Sequence, residues 1–171
     1  MDTDTPQERV KAMPGSPSSI SGFGGWLVLV QIGLYMTFFL QIVQLLQYSL
    51  PALGAGTWDV LTSKDSELYD PLWGTVIVFE AVYNVFFLVF TAFIMIQFYR
   101  QKASLPLLMI IFYGLSLLIG ILDYVLLAQI PLAQELEDGS SIKDLVSSLF
   151  TCLIWIPYFI RSVRVKNTFV K

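Results

Sequence analysis

The chain contains no histidine and a single cysteine, Cys152. The first absence removes histidine-based metal sites and catalytic triads, and the second excludes an intrachain disulfide. Cys152 has neither a second thiol nor a histidine to activate it, so it is expected to be a buried, inert thiol rather than a redox centre. Charge is scarce as well. Only 13% of the residues are Asp, Glu, Lys or Arg, against 56% hydrophobic, which is not the alternating surface of a soluble domain. The net charge of −3 comes mostly from acids in two connecting segments, and nucleic acid is not an expected partner. Gly114, Gly120 and the pair Gly24 and Gly25 lack the spacing of a phosphate loop. With no nucleophile, metal-ligand set or cofactor motif, the chain is expected to be non-enzymatic, with no cofactor and no metal site.

What the sequence does have is apolar blocks long enough to cross a hydrocarbon core of roughly 30 Å, which takes about 20 residues of helix. Four such blocks predict an all-α integral membrane four-helix bundle of antiparallel spans, over about 25–48, 72–99, 105–130 and 142–161. Residues 1–23, rich in Pro, Ser and Thr, are expected to form a flexible cytoplasmic tail. The block from Trp26 to Tyr48 exceeds the roughly 7 to 15 residues of a signal peptide's apolar region, and no small-x-small site ends it, so a span is expected rather than a cleaved signal.

The connections carry their own signals. The longest, 49–71, has apolar residues scattered through it, and part of it is expected to lie at the membrane surface as a short helix. Asp70 followed by Pro71 predicts the start of the second span. The few residues from Arg100 to Ser104 make spans two and three antiparallel neighbours, with Ser104 as N-cap. Ser116 and Gly120 form a small-xxx-small pair that lets another helix approach closely. Pro131 is expected to end the third span. Ser141 and Asp144 resemble a capping box opening the fourth, and Pro157 is expected to bend it near its end. The segment 162–171 is expected to be a basic cytoplasmic tail.

Orientation follows from the positive charges. With four spans, Arg9, Lys11, Arg100, Lys102, Arg161, Arg164, Lys166 and Lys171, eight of the ten Lys and Arg residues, fall on one side. Only Lys64 and Lys143 fall on the other. The positive-inside rule then places both termini in the cytoplasm. Trp26, Trp155 and Tyr158 suit the interface, and Arg161, Arg164 and Lys166 suit anionic headgroups, each contributing about 1 kcal/mol near such a surface. The bilayer is therefore the first partner. Docking of a cytoplasmic protein is the other reading of the basic segment.

The candidate site is a polar layer inside the bundle. At 1.5 Å of rise per residue, Glu80 lies roughly 12 Å below the outer end of its span, Asp123 and Gln41 roughly 10 Å, Ser148 about 9 Å and Thr151 about 14 Å. Spacings of three and four residues gather Gln41 with Gln44, Glu80 with Asn84, Ser116 and Gly120 toward Asp123, and Ser148 with Thr151. An acid at membrane depth faces protein or water rather than lipid. Two carboxylates with no Lys or Arg inside any span leave a negative balance, to be met by protonation, a bound cation or a positively charged ligand. The plainer reading treats the same groups as interhelical hydrogen-bonding glue, averaging about 0.6 kcal/mol per contact, with Lys143 snorkelling inward to pair with Glu80 or Asp123.

The ends of the membrane region carry a resemblance. Gly24, Gly25, Trp26 and Leu27, together with Trp155, Ile156, Pro157, Tyr158 and Phe159 followed by Ser162, Arg164, Val165, Thr168 and Phe169, resemble the signature of a bacterial membrane family known as domain of unknown function 2569. The similar layout runs from about Gly24 to Phe169. The resemblance implies a small four-span protein of the bacterial inner membrane with no established activity, and no motif of the family falls on Glu80 or Asp123.

The function expected from these features is that of an accessory module, binding a small cationic ligand or another membrane protein through the polar layer and outer loops. The alternative is a proton- or cation-coupled transporter using Glu80 or Asp123, against which stands the lack of an internal repeat or a broken helix. A membrane enzyme acting on lipid or envelope precursors is the third reading.

Overall fold

In hydrocarbon every backbone amide must find its partner within the protein, and for an uninterrupted apolar stretch the α-helix is the conformation that satisfies them all. The computed structural model describes residues 22–171, and residues 1–21, most of the expected N-terminal tail, lie outside it. The four apolar blocks are helices at Trp26–Ala52, Trp73–Tyr99, Leu105–Leu127 and Ser140–Arg161, spans 1 to 4, each long and apolar enough to cross a membrane. Among the described residues there is no strand.

Helix ends differ from expectation where a side chain found another use. Span 1 runs past Tyr48 to Ala52. Pro51 has no amide hydrogen and crowds the preceding turn, and the helix absorbs it by widening into a π turn at Leu45–Ser49, where the Leu50 amide reaches back to the Leu45 carbonyl. The long connection does contain a short helix, Ala55–Thr62, whose Trp58 and Thr62 side chains lie against Gly74 at the start of span 2. Asp70 accepts a hydrogen bond from the Leu72 amide at 2.8 Å, closing a turn just before the helix begins at Trp73. Ser104 occupies the N-cap of span 3, but its side chain makes no capping bond. Span 3 ends at Leu127, and Pro131 opens a new helix, Pro131–Leu136, where its missing amide hydrogen costs nothing.

The start of span 4 is capped by different residues from those expected. Gly139 sits at the N-cap with φ 87°, a conformation open to glycine. That turn carries the Glu137 carboxylate back over the free amides of Gly139 and Ser141, at 2.9 and 3.1 Å, and Asp138 accepts from the Ser140 amide at 3.0 Å. The Ser141 hydroxyl donates to Glu137 rather than acting as the cap itself. Glu137 and Asp138 thus replace the expected Ser141 and Asp144 box.

The core sits in the half of the bundle where span 1 begins and span 4 ends. Leu27, Val30 and Leu34 of span 1, Ile94 and Phe98 of span 2, Leu105 and Met109 of span 3 and Phe159 of span 4 are buried together. Lipid tails are as apolar as these side chains, so dispersion in close packing holds them rather than the hydrophobic effect. Span 4 remains helical through Pro157 to Arg161.

Beyond Ser162, whose hydroxyl accepts from the Val165 amide at 3.3 Å, the chain folds back as the helix Val163–Thr168. The segment expected as a basic cytoplasmic tail thus buries Val165, Thr168 and Phe169, three positions spaced so that one helical face is inward. Phe98 sits between Phe23 and Phe169, with ring centroids 5.1 and 5.5 Å away. The Lys171 amide donates to Gln101, and the Ala103 amide to the Lys171 carbonyl at 2.8 Å, tying the C-terminus to the turn between spans 2 and 3.

Span 3 packs most extensively on span 4, with Leu145 against Gly120 as the small-residue pair anticipates, and span 2 lies between spans 1 and 3. Spans 1 and 4 make no comparable contact.

Candidate functional site

Away from the chain ends the gap between spans 1 and 4 is not filled, and the four spans surround a half-enclosed cavity of about 460 Å³. Span 1 contributes Thr37, Gln41 and Gln44, each three or four residues on, so that one stripe faces it. Tyr83, Asn84 and Phe87 come from span 2, and Ser116, Gly120, Asp123 and Tyr124 from span 3. Span 4 supplies Asp144, Ser148 and Thr151. Phe87 and Phe112, with ring centroids 5.5 Å apart, form its floor above the packed core.

Two of these groups lack partners. The Gln41 Oε1 and Asp123 Oδ1 atoms are buried and accept no hydrogen bond. A buried polar atom left unpaired costs about 1 to 3 kcal/mol, and more when charged. Asn84 is different, since its amide donates to the Ser49 hydroxyl at 2.9 Å and fastens span 2 to the π turn of span 1. The Thr151 hydroxyl donates to the Ser147 carbonyl of its own helix at 2.9 Å, which leaves its oxygen free to accept. Gln44 lies within hydrogen-bonding reach of the Tyr83 hydroxyl.

The wall is electrostatically one-sided. It contains Asp123 and Asp144 but no Lys or Arg. Lys143 is exposed, and among the described residues the charge acting on Glu80 is that of Asp123, not of a base. The expected inward pairing of Lys143 is therefore absent.

Of the residues singled out from sequence, Gln41, Gln44, Asn84, Asp123, Ser148 and Thr151 meet at the cavity, and Glu80 does not. Glu80 is half-buried and is not among the residues lining it. It shares the helical stripe of Tyr83, Asn84 and Phe87 but lies a turn nearer the start of span 2, beyond the residues that line the cavity. The sequence reading missed the aromatic part of the wall, Tyr83, Phe87, Phe112 and Tyr124, and the buried Ser49. Tyr83 and Phe87 are four apart and flank Asn84, so the stripe that carries the polar group carries these rings as well. Cys152 is buried, its thiol donating to the Tyr113 carbonyl at 3.2 Å.

At the opposite end, Trp26 is 59% exposed and its ring meets Trp155 at 6.2 Å, which in turn meets Tyr158 at 5.7 Å. Arg161 and Lys166 are exposed, whereas Arg164 is half-buried. Its guanidinium lies against both Gly24 and Gly25: a Cβ at Gly24 would come within 2.5 Å of it, and one at Gly25 would make ordinary contact at 3.7 Å. The glycine pair and the basic segment thus form one packed unit.

A family model described as protein of unknown function (DUF2569) matches residues 20–170. The chain is 25% identical over 147 residues to the inner membrane protein YdgK of Escherichia coli (strain K12), an alignment covering 86% of this chain and 92% of that protein. No solved structure matches it.

Proposed function

We propose, from the premise that the chain belongs to the DUF2569 family of proteins of unknown function, that it is a non-enzymatic protein of the bacterial inner membrane which binds a small hydrogen-donating ligand in its half-open cavity. The observation that carries this reading is the pair of unpaired acceptors, Gln41 Oε1 and Asp123 Oδ1, buried on opposite walls of one cavity. Asn84, by contrast, is paired with Ser49, and the buried atoms unpaired elsewhere, Trp73 Nε1 and Thr91 Oγ1, do not face the cavity. The cavity volume of about 460 Å³ falls in the usual range of ligand sites, roughly 300 to 1,000 Å³. The inner-membrane relative supports the location, and the charge distribution supports cytoplasmic termini.

The test is thermal unfolding of the purified protein with small alcohols, amides and amines, beside Ser116→Trp, which fills the cavity. At least one class should raise the melting temperature of the native chain and leave the filled variant unmoved. If none does, or if both proteins respond alike, the cavity is not a ligand site.

Two carboxylates within the spans, Glu80 and Asp123, and no Lys or Arg in the cavity wall favour a second reading, a proton- or cation-coupled transporter. Uptake of the stabilising compound into proteoliposomes, driven by an imposed pH gradient, would separate transport from binding alone.

A further inference from the structure

We infer that the cavity is an ammonium site, taking the cationic nitrogen of a small amine or of an aminolipid headgroup, with Asp123 as counter-ion and aromatic rings as its walls. The inference rests on the reading of the cavity as a ligand site and names the chemistry of what enters.

The buried atoms that lack partners in the wall, Gln41 Oε1 and Asp123 Oδ1, are both acceptors. Their complement must donate. A phosphate or carboxylate would bring more acceptors to a wall that has Asp123 and Asp144 and no Lys or Arg, so like charge excludes it. A neutral alcohol would satisfy the hydrogen bonds and leave the charge uncompensated. A cationic donor answers both.

The rest of the wall separates an ammonium from a metal ion. Hard cations such as calcium take six to eight oxygen ligands, whereas among the described residues no three His, Cys, Asp or Glu side chains come together. Tyr83, Phe87, Phe112 and Tyr124 bring aromatic rings to the wall beside aliphatic residues such as Ile119 and Leu127. Aromatic rings with one or two acceptors are the usual surroundings of an alkylammonium, which is attracted to the ring quadrupole. A space of about 460 Å³ is also far more than a bare ion fills.

Access fits either source of the nitrogen. The cavity lies between spans 1 and 4, which do not pack extensively on each other, and Gln44 and Asp144 at its edges are exposed. An amine dissolved in water and the headgroup of a bilayer lipid both reach such an opening.

The experiment uses the full chain with Cys152→Ala and Ser148→Cys, and follows modification of the new thiol by a small uncharged maleimide. Choline or ethanolamine should slow the reaction at least tenfold, 3,3-dimethylbutanol, the uncharged isostere of choline, should not, and Asp123→Asn should abolish the protection. Nanodiscs of phosphatidylethanolamine and of phosphatidylglycerol distinguish the sources: slowing in the first alone, without added amine, identifies the lipid headgroup, and slowing only by dissolved amine identifies a free ligand. Should the thiol prove unreactive, the melting temperature of the native chain with choline against its isostere decides in the same way. Equal effects of choline and isostere, or protection that survives Asp123→Asn, would overturn the ammonium assignment and leave a cavity for a neutral ligand. No effect of any amine or lipid, while another class stabilises the native chain, overturns the assignment alone. The absence of stabilisation by every class removes the cavity reading with it.

Discussion

At the scale of single residues, Gly24 and Gly25 do different work although they are neighbours. A side chain at Gly24 would meet the Arg164 guanidinium at 2.5 Å, the far end of a flexible side chain that is able to swing away. Gly25 has φ 58° and ψ −133°, a backbone region in which residues with a Cβ are strained by about 1 to 3 kcal/mol. Gly25→Ala should therefore lower thermal stability in detergent by about that amount, and Gly24→Ala by clearly less. Equal losses in the two melting curves would contradict the assignment of strain to position 25. Glu80 and Asp123 make a similar contrast: two acids at similar depth, of which only Asp123 lines the cavity. Their presence within spans and their helical faces were legible from sequence, but which of them lines the cavity was not, because where the cavity ends along the bundle depends on how the other helices pack.

At the scale of elements, the π turn at Leu45–Ser49 lets span 1 pass Pro51 and buries Ser49 against Asn84. Ser49→Ala should leave the Asn84 amide with an unpaired donor and cost about 1 kcal/mol, within the range of about 0.6 to 1.7 measured for interhelical bonds in membranes. Adding Asn84→Leu should recover part of that loss, since two apolar partners leave nothing unpaired. A double-mutant cycle without coupling would refute the link. The cap of span 4 is an electrostatic element. Hydrogen bonds from the Ser141 hydroxyl and amide hold the Glu137 carboxyl below its ordinary value of 4.5. A depressed carboxylate contributes its stability above the ordinary value, and that stability is lost as pH falls through the lower folded value. The protection of the Gly139 and Ser141 amides, measured relative to the intrinsic exchange rate at each pH, should fall as the pH drops below 4.5 and be already low, with little pH dependence, in Glu137→Gln.

At the scale of the whole molecule, the bundle is closed where Phe23, Phe98 and Phe169 pack together and open at the other end. Charge sorting predicts that the closed end is cytoplasmic. Single cysteines at Ser66 and Gly139 should label from outside intact cells and one at Lys102 should not, and the reverse pattern would invert the protein. The sequence by itself determined the four spans, the helical class and the family, because each follows from local quantities: a run of apolar residues long enough for hydrocarbon, and a motif at each end. It also brought polar groups to one depth, since depth along a helix counts residues. Only the tertiary structure decided that Gly24, Gly25 and Arg164 are one packed unit, that the basic segment is folded in by Val165 and Phe169, and that aromatic rings complete the wall around Asp123. Those facts depend on how four helices rotate and tilt against one another. In lipid, where an apolar face gains no hydrophobic energy by turning inward, that rotation is set by packing between distant residues and not by local pattern.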